Sequence, residues 1–179
     1  MLRRVIVVAL CLVTALGAYI AWDFIKLGRK PPTMAASEQR ASLIRVDKQS
    51  RQMTLLRNGE PIKSYQIALG GNPVGPKQRE GDSRTPEGRY FIDSKNARSR
   101  FHLALHISYP SAEDKARAAR DGVPPGSDVM IHGLPNGLSI VGRWHLKRDW
   151  TDGCVAVTNR EMEEIWALVD TGTSVEINP

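Results

Sequence analysis

The sequence predicts a mainly β domain with two short helices, set behind an N-terminal apolar helix. Three observations lead there. From residue 43 onward, short β-prone runs alternate with turn-rich stretches; only two segments carry helical periodicity with caps; and the N-terminus opens on an uncharged apolar run. At 179 residues the chain has room for one domain plus an appendage, and its 41% hydrophobic and 25% charged residues are the balance of a folded domain.

Residues 5–22 hold no charge and follow Arg3 and Arg4. As a helix they would measure roughly 27 Å, close to the thickness of a bilayer's hydrocarbon core. A basic flank followed by an apolar stretch is the order of an exported protein. The run continues past Gly17, where cleavage with Ala15 at the −3 position is the alternative, so residues 1–25 are expected to stay as a membrane anchor rather than leave as a signal peptide. Residues 26–40 contain Pro31-Pro32 and small polar residues and read as a spacer. The folded domain is then expected over 41–179.

Within it, 43–46 and 53–56 are strands joined by a turn, and Asn58-Gly59 marks a hairpin into 62–69. The glycine- and proline-rich stretch 70–88 is a long loop, a place where function often sits. Further strands are expected at 89–92, 101–108, 129–132, 139–141, 155–157 and 174–177. One helix covers 112–121, with Ser111 as N-cap, a Glu113/Arg117 pair and Gly122 as the stop. The second covers 159–170, opened by the capping box Thr158-x-x-Glu161, with Met162, Ile165, Trp166 and Val169 as a stripe for packing on the sheet.

Charge and cysteine content exclude several functions. Of the formal net charge of +6, residues 1–30 supply +4, so the domain itself is near balance and lacks the basic stripe of a nucleic-acid binder. Two cysteines are too few for a disulfide scaffold or a four-thiolate zinc site, and no Cys-x-x-Cys pair marks a redox protein. Cys11 falls inside the apolar run as a small apolar residue. Cys154 is therefore a lone thiol outside the membrane, where an unpaired cysteine signals either an intermolecular bridge or a reactive group.

Thr151-Asp152-Gly153-Cys154 is a glycine turn that delivers this thiol to the start of a strand. A cysteine nucleophile needs a base to take its proton and return it to the leaving group, and histidine does both near neutral pH. His132, closing a strand before Gly133, is one candidate for that base; the residues alone leave the other histidines open, His145 and His106 among them. A glycine at 153 leaves room for the N–H groups of Gly153 and Cys154 to face an oxyanion.

His132-Gly133 followed downstream by Thr151-x-Gly153-Cys154, together with the loop GPKQREGDSRTPEGRYFI from Gly75, resembles the signature of the L,D-transpeptidase catalytic (YkuD) family. The resemblance covers roughly residues 42–178. It implies a β-sandwich-like fold and a periplasmic cysteine acyltransferase acting on peptidoglycan stem peptides. Cys154 would attack the bond between diaminopimelate and D-alanine, release D-alanine, and pass the acyl group to an amine. With water as acceptor the same pair would be a hydrolase, and a module that only holds peptidoglycan would not need both Cys154 and His132. The resemblance implies no metal and no organic cofactor, and carbapenem-type β-lactams as covalent inhibitors. On this reading the Gly133 carbonyl orients the imidazole, Arg143 and Arg148 hold substrate carboxylates, and Tyr109 with the following helix forms a lid. Asp152 stands where the family often has histidine. It is expected to turn away from the thiol and bond to backbone, Arg143 or Arg148.

Overall fold

The computed structural model describes residues 2–26 and 30–179; residues 27–29, at the expected junction of anchor and spacer, lie outside the described residues. Helix α1, Leu2–Lys26, includes an exposed span at Arg4–Trp22 with mean hydropathy 2.4, long and apolar enough to cross a membrane, a property it shares with an export signal. The stretch read as a spacer is partly docked: the Ala35 and Ala41 N–H groups donate to Ala167 and Leu168, and Arg40 pairs with Asp170 at 2.8 Å.

Strands β1 (Leu43–Asp47), β2 (Gln52–Arg57) and β3 (Glu60–Gln66) form a meander. At the first turn the Asp47 carboxylate accepts from the Ser50 N–H at 2.7 Å; at the second, Asn58 and Gly59 both have positive φ (52° and 86°), as a tight hairpin requires. The other elements are β4 (Gly88–Ser99), β5 (His102–Ile107), α2 (Ala112–Arg120), β6 (Met130–His132), β7 (Val155–Ala156), α3 (Asn159–Leu168) and β8 (Ser174–Asn178). Among the described residues the strands hydrogen-bond in the order β3-β2-β1-β8-β4-β5-β6-β7, with β1–β8 and β6–β7 parallel.

The long strand β4 serves both halves. Gly88 to Phe91 pair with β8, Ile92 to Ser99 pair with β5, and the register shifts twice along the second part. Bulges of this kind bend a strand and turn the sheet. An antiparallel bridge between Ala68, just past β3, and Ala156 of β7 ties the two ends of the strand order together. Alternate residues from both halves, among them Ile44, Val46, Leu55, Ile92, Leu105 and Val155, enter one core.

Both helices start with reciprocal caps. Thr158 Oγ1 accepts from the Glu161 N–H while Glu161 accepts from the Thr158 N–H, and Met162, Ile165, Trp166 and Val169 are buried as the stripe predicts. In α2, Ser111 and Asp114 form the capping box, and Arg117 pairs with Asp114 at 2.6 Å instead of the expected Glu113. Two strand expectations are corrected. Residues 139–141 belong to a 3-10 run, Ser139–Lys147, kinked at Gly142, whereas β4 runs well past residue 92. The added part of β4 has no apolar run of its own and owes its strand state to β5.

Candidate active site

The stretch before Cys154 is laid onto the loop after β3. Trp150 and Thr151 both donate to the Leu69 carbonyl at 3.1 Å, and Gly71 donates to the Thr151 carbonyl at 2.9 Å. Asp149 pins this approach, accepting from the Leu69 N–H at 2.9 Å and from Arg51 at 2.8 Å. The Thr151 hydroxyl then closes the turn, donating to the Cys154 carbonyl at 2.7 Å and accepting from the Gly153 N–H at 3.2 Å. The Gly153 N–H is thus engaged within the turn. The need for glycine is one of space and conformation: φ is 128°, and a Cβ would sit 2.5 Å from the Arg84 carbonyl oxygen.

The opposite loop is braced from inside. The buried Lys48 ammonium donates to the Gly75 carbonyl (2.7 Å), the Thr85 carbonyl (3.0 Å) and Glu87 (2.7 Å). Asp82 accepts from the N–H groups of Gln78 and Arg84 and pairs with Lys77 at 2.9 Å. Burial pushes the Asp82 carboxyl up, but these donors outweigh it and hold it below the ordinary carboxylate range.

His132 ends β6, in register with Ala156, and the Val157 N–H donates to its carbonyl at 3.0 Å. Cys154 lies two residues before Ala156, so strand alternation puts the thiol and the imidazole on one face. Both line a cleft of about 500 Å³. His132 Nδ1 is 2.7 Å from the Gly133 carbonyl oxygen. A carbonyl only accepts, so Nδ1 carries the proton and Nε2 keeps the lone pair. Phe101 stacks on the ring at a centroid distance of 4.5 Å and Trp150 meets it edge-on at 5.8 Å. Gly133 is tightly enclosed, since a Cβ there would lie 2.7 Å from Asn159 Oδ1, which itself accepts from the Leu134 N–H.

Electrostatics leave both groups neutral at rest. Burial drives the His132 imidazole below its ordinary value despite the Gly133 contact, and His145 pushes it the same way. Burial also raises the Cys154 thiol; the Met130 N–H and Lys77 pull it down, and Asp152 and Asp128 push it up. The thiol donates to the Asp128 carbonyl at 3.5 Å. Asp152 lines the cleft and accepts from Ser83 at 3.5 Å, which corrects the expected contact with Arg143 or Arg148.

Three further expectations are corrected. Arg143 pairs with Glu161 at 2.9 Å and does not line the cleft. Arg148 borders a separate hollow of about 370 Å³ on the far side of Trp150. Tyr109 is buried in the core, its hydroxyl donating to the Pro125 carbonyl at 2.7 Å. The arginines on the cleft are instead Arg98 and Arg100, where β4 turns into β5; both are exposed and make no ion pair among the described residues. A cluster of basic residues, Lys95 to Arg100, was their only trace in the sequence. Of the rival histidines, His106 pairs with Asp93 at 2.7 Å, and His145 lines the other hollow. Among the described residues no group of three or more His, Cys, Asp or Glu is placed to hold a metal ion.

Comparison with known proteins places this arrangement. The family model of the L,D-transpeptidase catalytic domain, YkuD, matches residues 41–177. The YafK protein of Escherichia coli strain K12, named provisionally as an L,D-transpeptidase, is 33% identical over 138 residues, covering 74% of this chain and 48% of the relative. In fold, the chain is similar to the helical cell shape determining protein Pgp2 of Campylobacter jejuni (TM-score 0.60, 21% identity, 89% of this chain and 55% of that one). It is also similar to Bd1075 of Bdellovibrio bacteriovorus (TM-score 0.53, 25% identity, 82% and 51%). The chain spans about half the length of these relatives. With the match running through the whole of the sheet and both motifs, the chain belongs to the L,D-transpeptidase catalytic domain family.

Proposed function

We propose that this chain is a periplasmic cysteine acyltransferase that carries out L,D-transpeptidation on peptidoglycan stem peptides, held at the inner membrane by α1. Supporting this most directly is the shared cleft of Cys154 and His132, in which the imidazole's free nitrogen is Nε2 and its Nδ1 proton is fixed on the Gly133 carbonyl.

The chemistry follows from a neutral thiol beside a neutral imidazole. His132 Nε2 takes the Cys154 proton as sulfur attacks the carbonyl carbon of the diaminopimelate–D-alanine bond. The imidazolium returns that proton to the departing nitrogen, D-alanine leaves, and a thioester remains on Cys154. An acceptor amine attacks the thioester and gives up a proton to His132, which restores the thiol as the new amide is released. Desolvation disfavours the isolated thiolate, so proton transfer and attack go together. Phe101 and Trp150 confine the ring, Gly133 orients it, and Gly153 lets the turn approach the Arg84 carbonyl. Arg98 and Arg100 are placed to take the donor's carboxylates bidentately.

Incubating the protein with a purified tetrapeptide stem, or with a carbapenem, should leave a covalent adduct visible by mass spectrometry on the wild type and none on Cys154→Ser. An adduct of equal size on the serine variant would overturn the assignment. Free D-alanine with a cross-linked dimer identifies a transferase; free D-alanine alone makes water the acceptor and the protein a carboxypeptidase.

A further inference from the structure

Between His132 and Cys154 the chain makes an excursion that the proposed chemistry does not use. Leu138, Ile140 and Trp144 are 49%, 60% and 71% exposed there, an unusual concentration of large apolar side chains on a water-facing surface. Residues 134–148 include no acidic residue and carry Arg143, Lys147 and Arg148. Arg143 is spent on Glu161, whereas Lys147 and Arg148 make no ion pair among the described residues. The Lys147 ammonium sits 3.7 Å above the Trp144 ring, so apolar and cationic groups are interleaved.

The location of this patch names its occupant. The Tyr19 hydroxyl of α1 is 2.6 Å from Ser139 Oγ, between Leu138 and Ile140. Arg3 and Arg4 fix the N-terminal end of the span on the cytoplasmic side, which puts Tyr19 and Trp22 at the opposite interface. Tyr19 precedes the end of the span by three residues, about 4.5 Å of helix, so whatever bonds to its hydroxyl lies at headgroup depth. Tryptophan, lysine and arginine beside aliphatic side chains are what that layer accepts. The hollow of about 370 Å³ next to the patch, walled by Leu134, Leu138, Val141 and Trp150 with Lys147 and Arg148 at its border, has the dimensions and polarity for part of an acyl chain beneath a phosphate.

We propose that residues 138–148 rest on the outer leaflet of the anionic phospholipid bilayer that α1 spans, apolar side chains inserted and Lys147 and Arg148 on the phosphates. This goes beyond the proposed reaction and rests on reading α1 as a retained anchor. Since Trp150 walls both the hollow and the cleft, docking would hold the Cys154 cleft at a fixed height above the membrane.

The test uses the full chain in vesicles of phosphatidylethanolamine and phosphatidylglycerol. Amide exchange over residues 138–148 should be slower than in vesicles of phosphatidylcholine alone. Lys147→Glu and Arg148→Glu should each reduce that protection about five-fold or more, as expected for the loss of one surface cation. Trp144→Ala, which removes no charge, should reduce it in both lipids. Equal exchange in the two lipids and in all variants, with the chain still resisting alkaline carbonate extraction, overturns the docking alone. Release of the wild type by carbonate overturns the anchor and the docking with it.

Discussion

The proposed reaction depends on where single protons sit. His132 must be neutral to accept the Cys154 proton, and burial holds its pKa below the ordinary histidine value. The acid limb of kcat/KM should accordingly fall below pH 6.5, the ordinary value, in a pH–rate profile. The unfolded chain takes up this proton before the folded one does. Stability should therefore be full above the ordinary value and decline as the pH drops below it, until the folded pKa is reached. His132→Ala should lower kcat by about 10²–10⁴-fold in a D-alanine release assay, and His145→Ala far less, since His145 lines the other hollow. Gly153→Ala, forced against the Arg84 carbonyl at a φ of 128°, should cost about 1–3 kcal/mol in a denaturant titration. Cys154, His132 and Gly133 stand out in the sequence because a lone thiol calls for a base and because they lie in the motifs that carry the family resemblance. The contact of the Gly153 N–H with the Thr151 hydroxyl is a matter of turn conformation that the motif's letters do not specify.

At the scale of elements, the strands and helices follow from local chemistry wherever a segment carries its own signal. Positive φ at Asn58 and Gly59, both capping boxes and the buried stripe of α3 are of this kind. Thr158→Ala removes one half of a cap and should cost about 1 kcal/mol, read as a lowered thermal midpoint. Its effect should reach the cleft weakly, because the neighbouring Asn159 holds the Leu134 N–H beside His132 and Gly133. Segments 139–141 and 93–99 were misjudged for opposite reasons. Ser-Ile-Val is β-prone but finds no partner strand and coils into a 3-10 turn; Asp93 to Ser99 is polar yet is held extended by β5. That second error hid Arg98 and Arg100, which the bulged end of β4 carries to the cleft. Arg143 and Arg148 suit an acidic stem peptide by chemistry, but Arg143 pairs with Glu161 and Arg148 borders the other hollow.

For the molecule as a whole, the core is drawn mainly from the sheet and α3, and none of the described side chains of α1 belongs to it. A chain lacking residues 1–30 should thus keep its thermal midpoint and its action on soluble stem peptides while losing resistance to carbonate extraction from the membrane, as checked by calorimetry and fractionation. Composition and local periodicity were enough to separate the apolar helix from the domain and to assign the mainly β class, while the pairing of Cys154 with His132 rests on the two motifs of the family resemblance. Those properties are written in neighbouring residues, through charge, alternation and capping. The cleft is different in kind. Phe101, Asp128 and Trp150 meet around His132 and Cys154 because β4 changes register, β6 and β7 run parallel, and Ala68 bridges to Ala156. Contacts between residues tens of positions apart depend on strand register, and a shift of one residue would turn every side chain to the other face.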